Sequence, residues 1–394
     1  MSEWKEVQLS DFCSLIAGYA FKSKDFGDYP TKVLKIADIN PPFVSSENSS
    51  GVDLSKYDVS KLEKFLVKKG DYILAMTGAT IGKLGRYISD EQAYLNQRVL
   101  KFKPHESIDS NFLYYVLYGR QFAKYVVNHI DSESAQPNIS AGTIGKFVFN
   151  LPDIKEQRSI ASILSSLDDK IAINRRICEN LEAQAQALFK HWFIDFAPFK
   201  NGKFVESELG MIPEGWRVGS LFDIAEVHDS KRKPLSGMER AKMKKVYPYY
   251  GATEQMDMVD DYIFDGRYVL MGEDGSVVRE NGLPYIQYVW GKIWVNNHAH
   301  VLTGKNGFTT EMLIPFLTTY NIKGLVTGAV QAKLNQANMA KISLAIPPMS
   351  ILENISVLFE SLYGTYRNCC TEIVTLSILR DTLLPKLMSG QIKV

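Results

Sequence analysis

No stretch of this chain strings together the roughly 18 apolar residues that a membrane-spanning helix needs. Its opening, MSEWKEVQLS, lacks the layout of a secretory signal. No membrane association is expected, and the expected location is cytoplasmic. Cysteine is scarce: Cys13, Cys178, Cys369 and Cys370 are the four in 394 residues. None forms a C-x-x-C pair and no histidine stands at metal-ligand spacing from them, so the expectation is reduced structural thiols and no metal. Charge of one sign is missing too, with 45 Lys and Arg against 44 Asp and Glu. A basic surface therefore has to be local. Charged residues make up 23% and hydrophobic ones 45%, which excludes disorder as the main state. At about 100–200 residues per domain, the length predicts two or three domains.

Catalytic signatures are also lacking. No G-x-S-x-G and no paired-carboxylate motif occurs. GATIGKLG (78–85) has three residues between its first two glycines and Leu84 after Lys83, where a phosphate-binding loop needs four and a hydroxyl residue. Asn40-Pro41-Pro42-Phe43 has the form of the Asn-Pro-Pro-Phe/Tyr motif of amino-methyltransferases. No strand with a Gly-rich turn for S-adenosylmethionine accompanies it, and the second half of the chain has no counterpart, so it reads as a turn. His298 and His300 suit one face of a strand. No acidic cluster accompanies them in sequence, which favours a surface or pairing role over a metal site.

What the chain does have is a repeat. Trp4, Leu9, Asp11 and Phe12 recur as Trp216, Leu221, Asp223 and Ile224 at the same spacing, and KKGDYILAMTG (68–78) echoes FDGRYVLMGEDG (264–275). Gln136 stands 16 residues before Pro152, as Gln331 stands 16 before Pro347, and from there the halves run 195 residues apart without a gap. That stretch carries a 4-3 apolar spacing. In the first copy it runs Ile160, Leu164, Leu167, Ile171, Asn174, Cys178, Leu181, Ala185, Leu188 and Trp192. In the second it runs Ile355, Phe359, Leu362, Tyr366, Cys369, Ile373, Leu376, Arg380, Leu383 and Leu387. Such spacing makes the narrow seam of a coiled coil, and Asn174 is a polar residue of the kind that fixes register at some cost in stability. Asp153 after Pro152 marks the first helix start, and Ser350-x-x-Glu353 after Pro347-Pro348 has the form of a capping box. Pro198 ends the first helix, and Pro385 is expected to kink or end the second. From Ile160 to Trp192 the first seam spans about 50 Å at roughly 1.5 Å per residue.

The remaining sequence reads as two mixed segments with short strand-like runs such as Tyr72–Met76, Val99–Phe102, Tyr268–Met271 and Lys292–Val295. Helical stretches follow at 112–127 and 310–320. The fold class is α+β: two pseudo-repeated mixed domains, each followed by a long helix, the two helices pairing as an antiparallel coiled coil. The expected boundaries are 1–151 and 214–346 for the two domains, 152–196 and 347–390 for the helices, and 197–213 for a polar linker.

Basic residues cluster once. Residues 231–245 hold Lys231, Arg232, Lys233, Arg240, Lys242, Lys244 and Lys245 against one acid, Glu239, followed by Tyr247, Tyr249 and Tyr250. Cations neutralise phosphates and nearby aromatic or amide groups can meet bases. A solvated charged loop is the plain alternative. The first half offers Lys22, Lys24, Lys83, Arg86, Asn96, Gln97 and Arg98, the last three being of types that read base edges. Gln136 with Asn138, and Gln331 with Lys333, fall at matching places in the repeat, as base readers or as loop ties.

Together these pieces resemble the specificity subunit (HsdS) of type I restriction-modification systems. The resemblance is carried by LPDIKEQRSIASILSSLDDKI (151–171), LFKHWFIDFAPF (188–199), FVESELGMIPEGW (204–216) and LLPKLMSGQIKV (383–394). The one departure is IPPMSILENI (346–355), which lacks the Glu-Gln pair of positions 156–157. The resemblance implies a non-catalytic subunit that reads a bipartite, asymmetric site in double-stranded DNA, one domain per half-site, with the helices as spacer. It implies two modification (methyltransferase) subunits docked on the helices, with restriction (motor-nuclease) subunits joining them. The chain itself has no cofactor in this reading; S-adenosylmethionine belongs to the modification subunit. The alternatives are an autonomous DNA amino-methyltransferase and a coiled-coil scaffold that binds no nucleic acid.

Overall fold

In the computed structural model, which describes residues 4–131, 137–328 and 331–394, the 4-3 patterns become two long helices, α1 (Ile154–Phe189) and α2 (Met349–Met388). Asp153 caps α1, its carboxylate accepting from the Lys155 and Glu156 amides at 2.9 and 3.0 Å. After Phe189 the chain makes one π turn, Lys190–Ile194, and leaves the helical direction at Phe196, where φ is +48°.

Two helix-end expectations change. Ser350 is no cap, because α2 already begins at Met349; the Pro348 carbonyl accepts from the Ile351 and Leu352 amides at 3.0 and 3.4 Å. Proline has no N–H to satisfy at a helix start, so it takes that place ahead of Ser350. Pro385 neither ends nor truncates α2, which runs on to Met388. The ring leaves the Asp381 carbonyl without its helical donor, but both residues are exposed, so the lost bond falls on the solvent side of the helix. Gly390, at φ +70°, then closes the helix by donating to the Leu387 carbonyl.

The chain divides into two compact units, residues 1–172 with 374–394, and residues 173–373. Each long helix therefore gives one part to each unit. In the first unit, α1 contributes buried Ile160, Leu164 and Ile171 and half-buried Leu167. The α2 part contributes half-buried Leu376 and Leu383 and buried Leu387. In the second unit Asn174, Cys178, Ala185, Ile355, Phe359 and Cys369 are buried, and Leu181, Leu188, Leu362, Tyr366 and Ile373 half-buried. The partners run in opposite directions: the Asn174 amide donates to Glu372 at 2.7 Å, and Cys178 lies 3.9 Å from the Tyr366 carbonyl and 3.6 Å from Cys370 Sγ. All four cysteines are free thiols, and burial pushes Cys178 up to about 12.

The first unit is built on a six-stranded mixed sheet. It contains β1 (Cys13–Ala17), β2 (Tyr72–Ala75), β3 (Leu84–Tyr87) and β4 (Val99–Pro104), in the order β1-β4-β2-β3, continued by Phe43–Val44 and Ile39–Asn40. All of β2 is buried, because each face meets a different core. Tyr72 and Leu74 face Phe112, Leu113, Ile160, Leu164, Leu384 and Leu387, whereas Ile73 and Ala75 face Leu34, Val44 and Leu95. A strand covered on both faces reads as a continuous apolar run. The helical stretch 112–127 is two helices, Ser110–Tyr118 and Arg120–Asn128, broken at Gly119. The Trp4 indole donates to Glu156 at 3.1 Å and its ring lies beside Gly390.

The second unit repeats the plan. Here β5 (Phe264–Gly272), β6 (Ile286–Val295) and β7 (Ala299–Gly304) stand in the order Ala225–Val227, β7, β5, β6, Tyr247–Tyr250, Gln255–Val259. Val269 and Met271 share a core with Ala185, Phe189, Phe193, Ile355 and Phe359; Leu270, one step away, joins Ile293, Val295 and Val301 on the other face. Trp216 takes edge contacts from Phe193, Phe196 and Phe199. Fully buried Glu311 on the helix Thr310–Thr319 gathers Arg267, Tyr288 and Arg367 at 2.9, 2.7 and 3.1 Å, tying α2 to the sheet. Among the described residues no helix is long and apolar enough to cross a membrane.

Candidate nucleic-acid interface

In the first unit backbone hydrogen bonds bring several candidate residues together beyond the end of β2. The Ala75 amide donates to the Lys83 carbonyl at 3.0 Å and the Met76 amide to the Arg98 carbonyl at 3.0 Å, so these two basic residues flank one strand end. Gly78 donates to the Pro137 carbonyl at 3.1 Å and Ile139 to the Met76 carbonyl at 3.0 Å, which brings Asn138 into a bridge with Thr77. Asn96 opens a turn closed by the Val99 amide at 3.0 Å; Gln97 and Arg98 form its exposed tip and make no side-chain hydrogen bond among the described residues. Lys22 and Lys24 are exposed on the loop after Tyr19, whose backbone bridges Asn96. Arg86 is exposed at the far end of β3, opposite Tyr72. Gln136 lies outside the described residues.

The second unit builds the same frame at the end of β5. The Glu273 amide donates to the His298 carbonyl at 2.8 Å, Gly275 to Ala332 at 3.0 Å and Leu334 to Glu273 at 2.9 Å, with Asp274 bridging Lys333. Residue for residue, Met76, Gly78, Ile139 and Arg98 correspond to Glu273, Gly275, Leu334 and His298. The backbone is held constant while the side chains differ: Arg98, Thr77 and Asn138 in one unit, His298, Asp274 and Lys333 in the other. His298 approaches Asp274 at 3.9 Å, and Gln331 is exposed beside Lys333.

The basic cluster divides into three kinds. Lys231, Lys233, Lys242 and Lys244 are exposed and make no side-chain hydrogen bond or ion pair among the described residues. Lys245 is engaged by Asp257 at 2.8 Å and the carbonyls of Arg240 and Met258. Arg232 instead turns inward, donating to Glu273 at 2.6 Å and the Ala299 carbonyl at 2.7 Å. Tyr250 is half-buried, and burial raises its hydroxyl pKa.

The histidine pair also differs from the sequence expectation, since an acidic cluster does accompany it. Asp229, Glu273 and buried His300 bring one ligand atom each within 4.8 Å of one another. No spacing rule predicts this, because the three come from separate segments of the chain. Arg232 lies 3.4 Å from Asp229 as well as bonding Glu273, so both carboxylates of the group are paired with a guanidinium. Burial alone would raise Asp229, but hydrogen bonds from His300, Gln336 and the Val301 amide outweigh it and hold the carboxyl below its ordinary value. Asn40-Pro41-Pro42-Phe43 is a hairpin turn with a cis Pro41–Pro42 bond, Asn40 pairing with Phe43.

The long helices expose apolar side chains: Ile163, Val374, Ile378 and Leu379 in the first unit, Ile173, Ile177, Val357 and Leu358 in the second. An open groove of about 560 Å³ in the second unit is lined by Ala187, Leu188, His191, Leu358 and Leu362 with two polar neighbours.

Residues 1–183 and 213–367 match the family model described as the type I restriction modification DNA specificity domain. The type I restriction enzyme MjaIX specificity subunit of Methanocaldococcus jannaschii is 27% identical over 95% of this chain and 96% of its own. The HindI specificity subunit of Haemophilus influenzae is 23% identical over the full length of both. In fold, the chain is similar to the crystal structure of the type I restriction-modification S subunit from M. genitalium, with a TM-score of 0.57 over 98% of this chain and 96% of that one at 15% identity. The chain belongs to the type I restriction-modification DNA specificity family, as a non-catalytic specificity subunit.

Proposed function

We propose that this subunit reads a bipartite, asymmetric site in double-stranded DNA, residues 1–151 taking one half-site and residues 214–346 the other. The observation that carries this reading is the frame built twice, at the ends of β2 and β5, on the same backbone hydrogen bonds but with different polar side chains. A constant frame presenting Arg98 and Asn138 in one unit, and His298 and Lys333 in the other, suits two readers of one design and different sequence preference. Lys231, Lys233, Lys242 and Lys244 supply charge for phosphates, which positions a protein without specifying sequence.

The helices 152–196 and 347–390 act as the spacer and as the docking site for two modification (methyltransferase) subunits, restriction subunits joining them. Their exposed apolar side chains and the groove beside Leu188 and Leu358 support such docking. S-adenosylmethionine is held by the modification subunit, and the complex works in the cytoplasm. Exchange of residues 1–151 for those of a relative, followed by methylation mapping with the modification subunit present, tests the reading. One half of the methylated sequence should change and the other stay; a change in both halves would overturn it.

A further inference from the structure

The sheet end of the second unit rests on a buried polar network. Asp229 accepts from the Val301 amide at 3.0 Å and from Gln336 Nε2 at 2.8 Å, and its Oδ2 lies 2.6 Å from His300 Nδ1. His300, 1% exposed, places Nε2 2.7 Å from the Leu334 carbonyl. Arg232 bonds Glu273 and the Ala299 carbonyl, and its Nε returns to the Asp229 carbonyl at 3.1 Å. Five side chains from four chain segments thus close on one another. In the first unit the residues matching Glu273, His300 and Leu334 are Met76, Leu100 and Ile139, all buried and apolar. The same frame therefore forms without ions.

What the network adds is a hold on one more segment. Arg232 stands between exposed Lys231 and Lys233, and its side chain, 11% exposed, is the anchor of that stretch. The Trp294 indole donates to the Lys233 carbonyl at 2.6 Å from the other side. The segment carrying two open cations is fixed to the frame that carries His298 and Lys333. Resting on the reading of this end as DNA-facing, we infer that Asp229, Arg232, Glu273, His300 and Gln336 are positioning residues for the second half-site: they touch no base, and act by holding Lys231 and Lys233 in place before DNA arrives. Ordering a cationic loop in advance removes that cost from binding.

The test is a mutant cycle in the complex with modification subunits, read as affinity for the specific duplex against salt. R232M/E273M removes one cation and one anion together and copies Met76 of the first unit. It should keep the melting temperature, since loss of both partners is tolerated far better than loss of one. Affinity should fall about tenfold and the salt slope by about two phosphates' worth, near 0.9 each. K231A/K233A should do the same, and the two pairs combined should cost no more than either. Additive losses, or an unchanged affinity in R232M/E273M while K231A/K233A weakens binding, would overturn the inference alone. No effect of K231A/K233A would overturn the DNA-facing reading itself. If R232M/E273M melts early, Q336L, which removes a single exposed hydrogen-bond donor to Asp229, enters the same cycle with the same criteria.

Discussion

Asp168 and Arg380, one from each long helix, meet at 2.7 Å, and the other Asp168 oxygen accepts from the Tyr115 hydroxyl of the first domain at 2.7 Å. The Arg380 guanidinium also lies over the Tyr118 ring at 5.2 Å. A single carboxylate thus joins both helices to the sheet-bearing part of its unit. Asp168→Ala should cost about 1–2 kcal/mol, less than a fully buried pair because both groups keep some water. Arg380→Leu should cost less in that background than alone, since the two side chains bond each other, and a double-mutant cycle in thermal denaturation measures the coupling.

Arg98 stands at an exposed turn tip and should act on one base pair. Arg98→Ala, in the assembled complex, should cost about 1–3 kcal/mol and relax preference at a single position of the first half-site. Competition with singly substituted duplexes measures this. A loss spread evenly over all duplexes would assign Arg98 to a phosphate instead.

Matched seven-residue insertions after Leu181 and after Gly364 keep both seams in phase and lengthen the helix pair by about 10 Å. The preferred spacer between half-sites should grow by roughly three base pairs, at 3.4 Å per step, with both half-site sequences unchanged. Methylation mapping reads the outcome, and an unaltered spacer would show that these helices do not set the distance.

Asp257 is held down to about 2, first by Lys245, then by the Met258 amide and Arg240. A carboxyl depressed in the fold stabilises it fully above the unfolded value of about 3.9 and stops doing so as pH falls through the folded value. The hairpin Tyr247–Tyr250 with Gln255–Val259 should therefore lose this stabilisation progressively between about pH 4 and about pH 2. A carboxyl NMR titration should place Asp257 near 2, and Lys245→Ala should move it upward.

The long helices were legible because burial follows the 4-3 spacing almost residue by residue, from Ile160 to Trp192 and from Ile355 to Leu387. Their ends were less so. Ser350 has the right motif, yet Pro348 takes the start; Pro385 has the wrong chemistry for a helix interior, yet an exposed carbonyl tolerates it. The repeat was visible in Gln136 and Gln331, but the frame itself is made of backbone hydrogen bonds, on which side-chain patterns are silent. Arg232 shows the same limit: flanked by Lys231 and Lys233 it reads as one cation of three, and only the fold brings it Glu273. His300 and Asp229 lie 71 residues apart, which no motif spans.

Because Leu384 and Leu387 complete the core around Leu113, Ile160 and Leu164, the first domain is closed by residues that are made after the whole of the second. During synthesis the second domain, with Ala185 and Phe189 already out, has its helical wall in hand once Phe359 appears. The first lacks part of its wall until Leu384 and Leu387 of α2 have been made. The domain whose strands are made first is thus the one whose core residues are made last. A chain cut off at Ile373 lacks the part of α2 that walls the first domain, yet keeps every residue of the second unit.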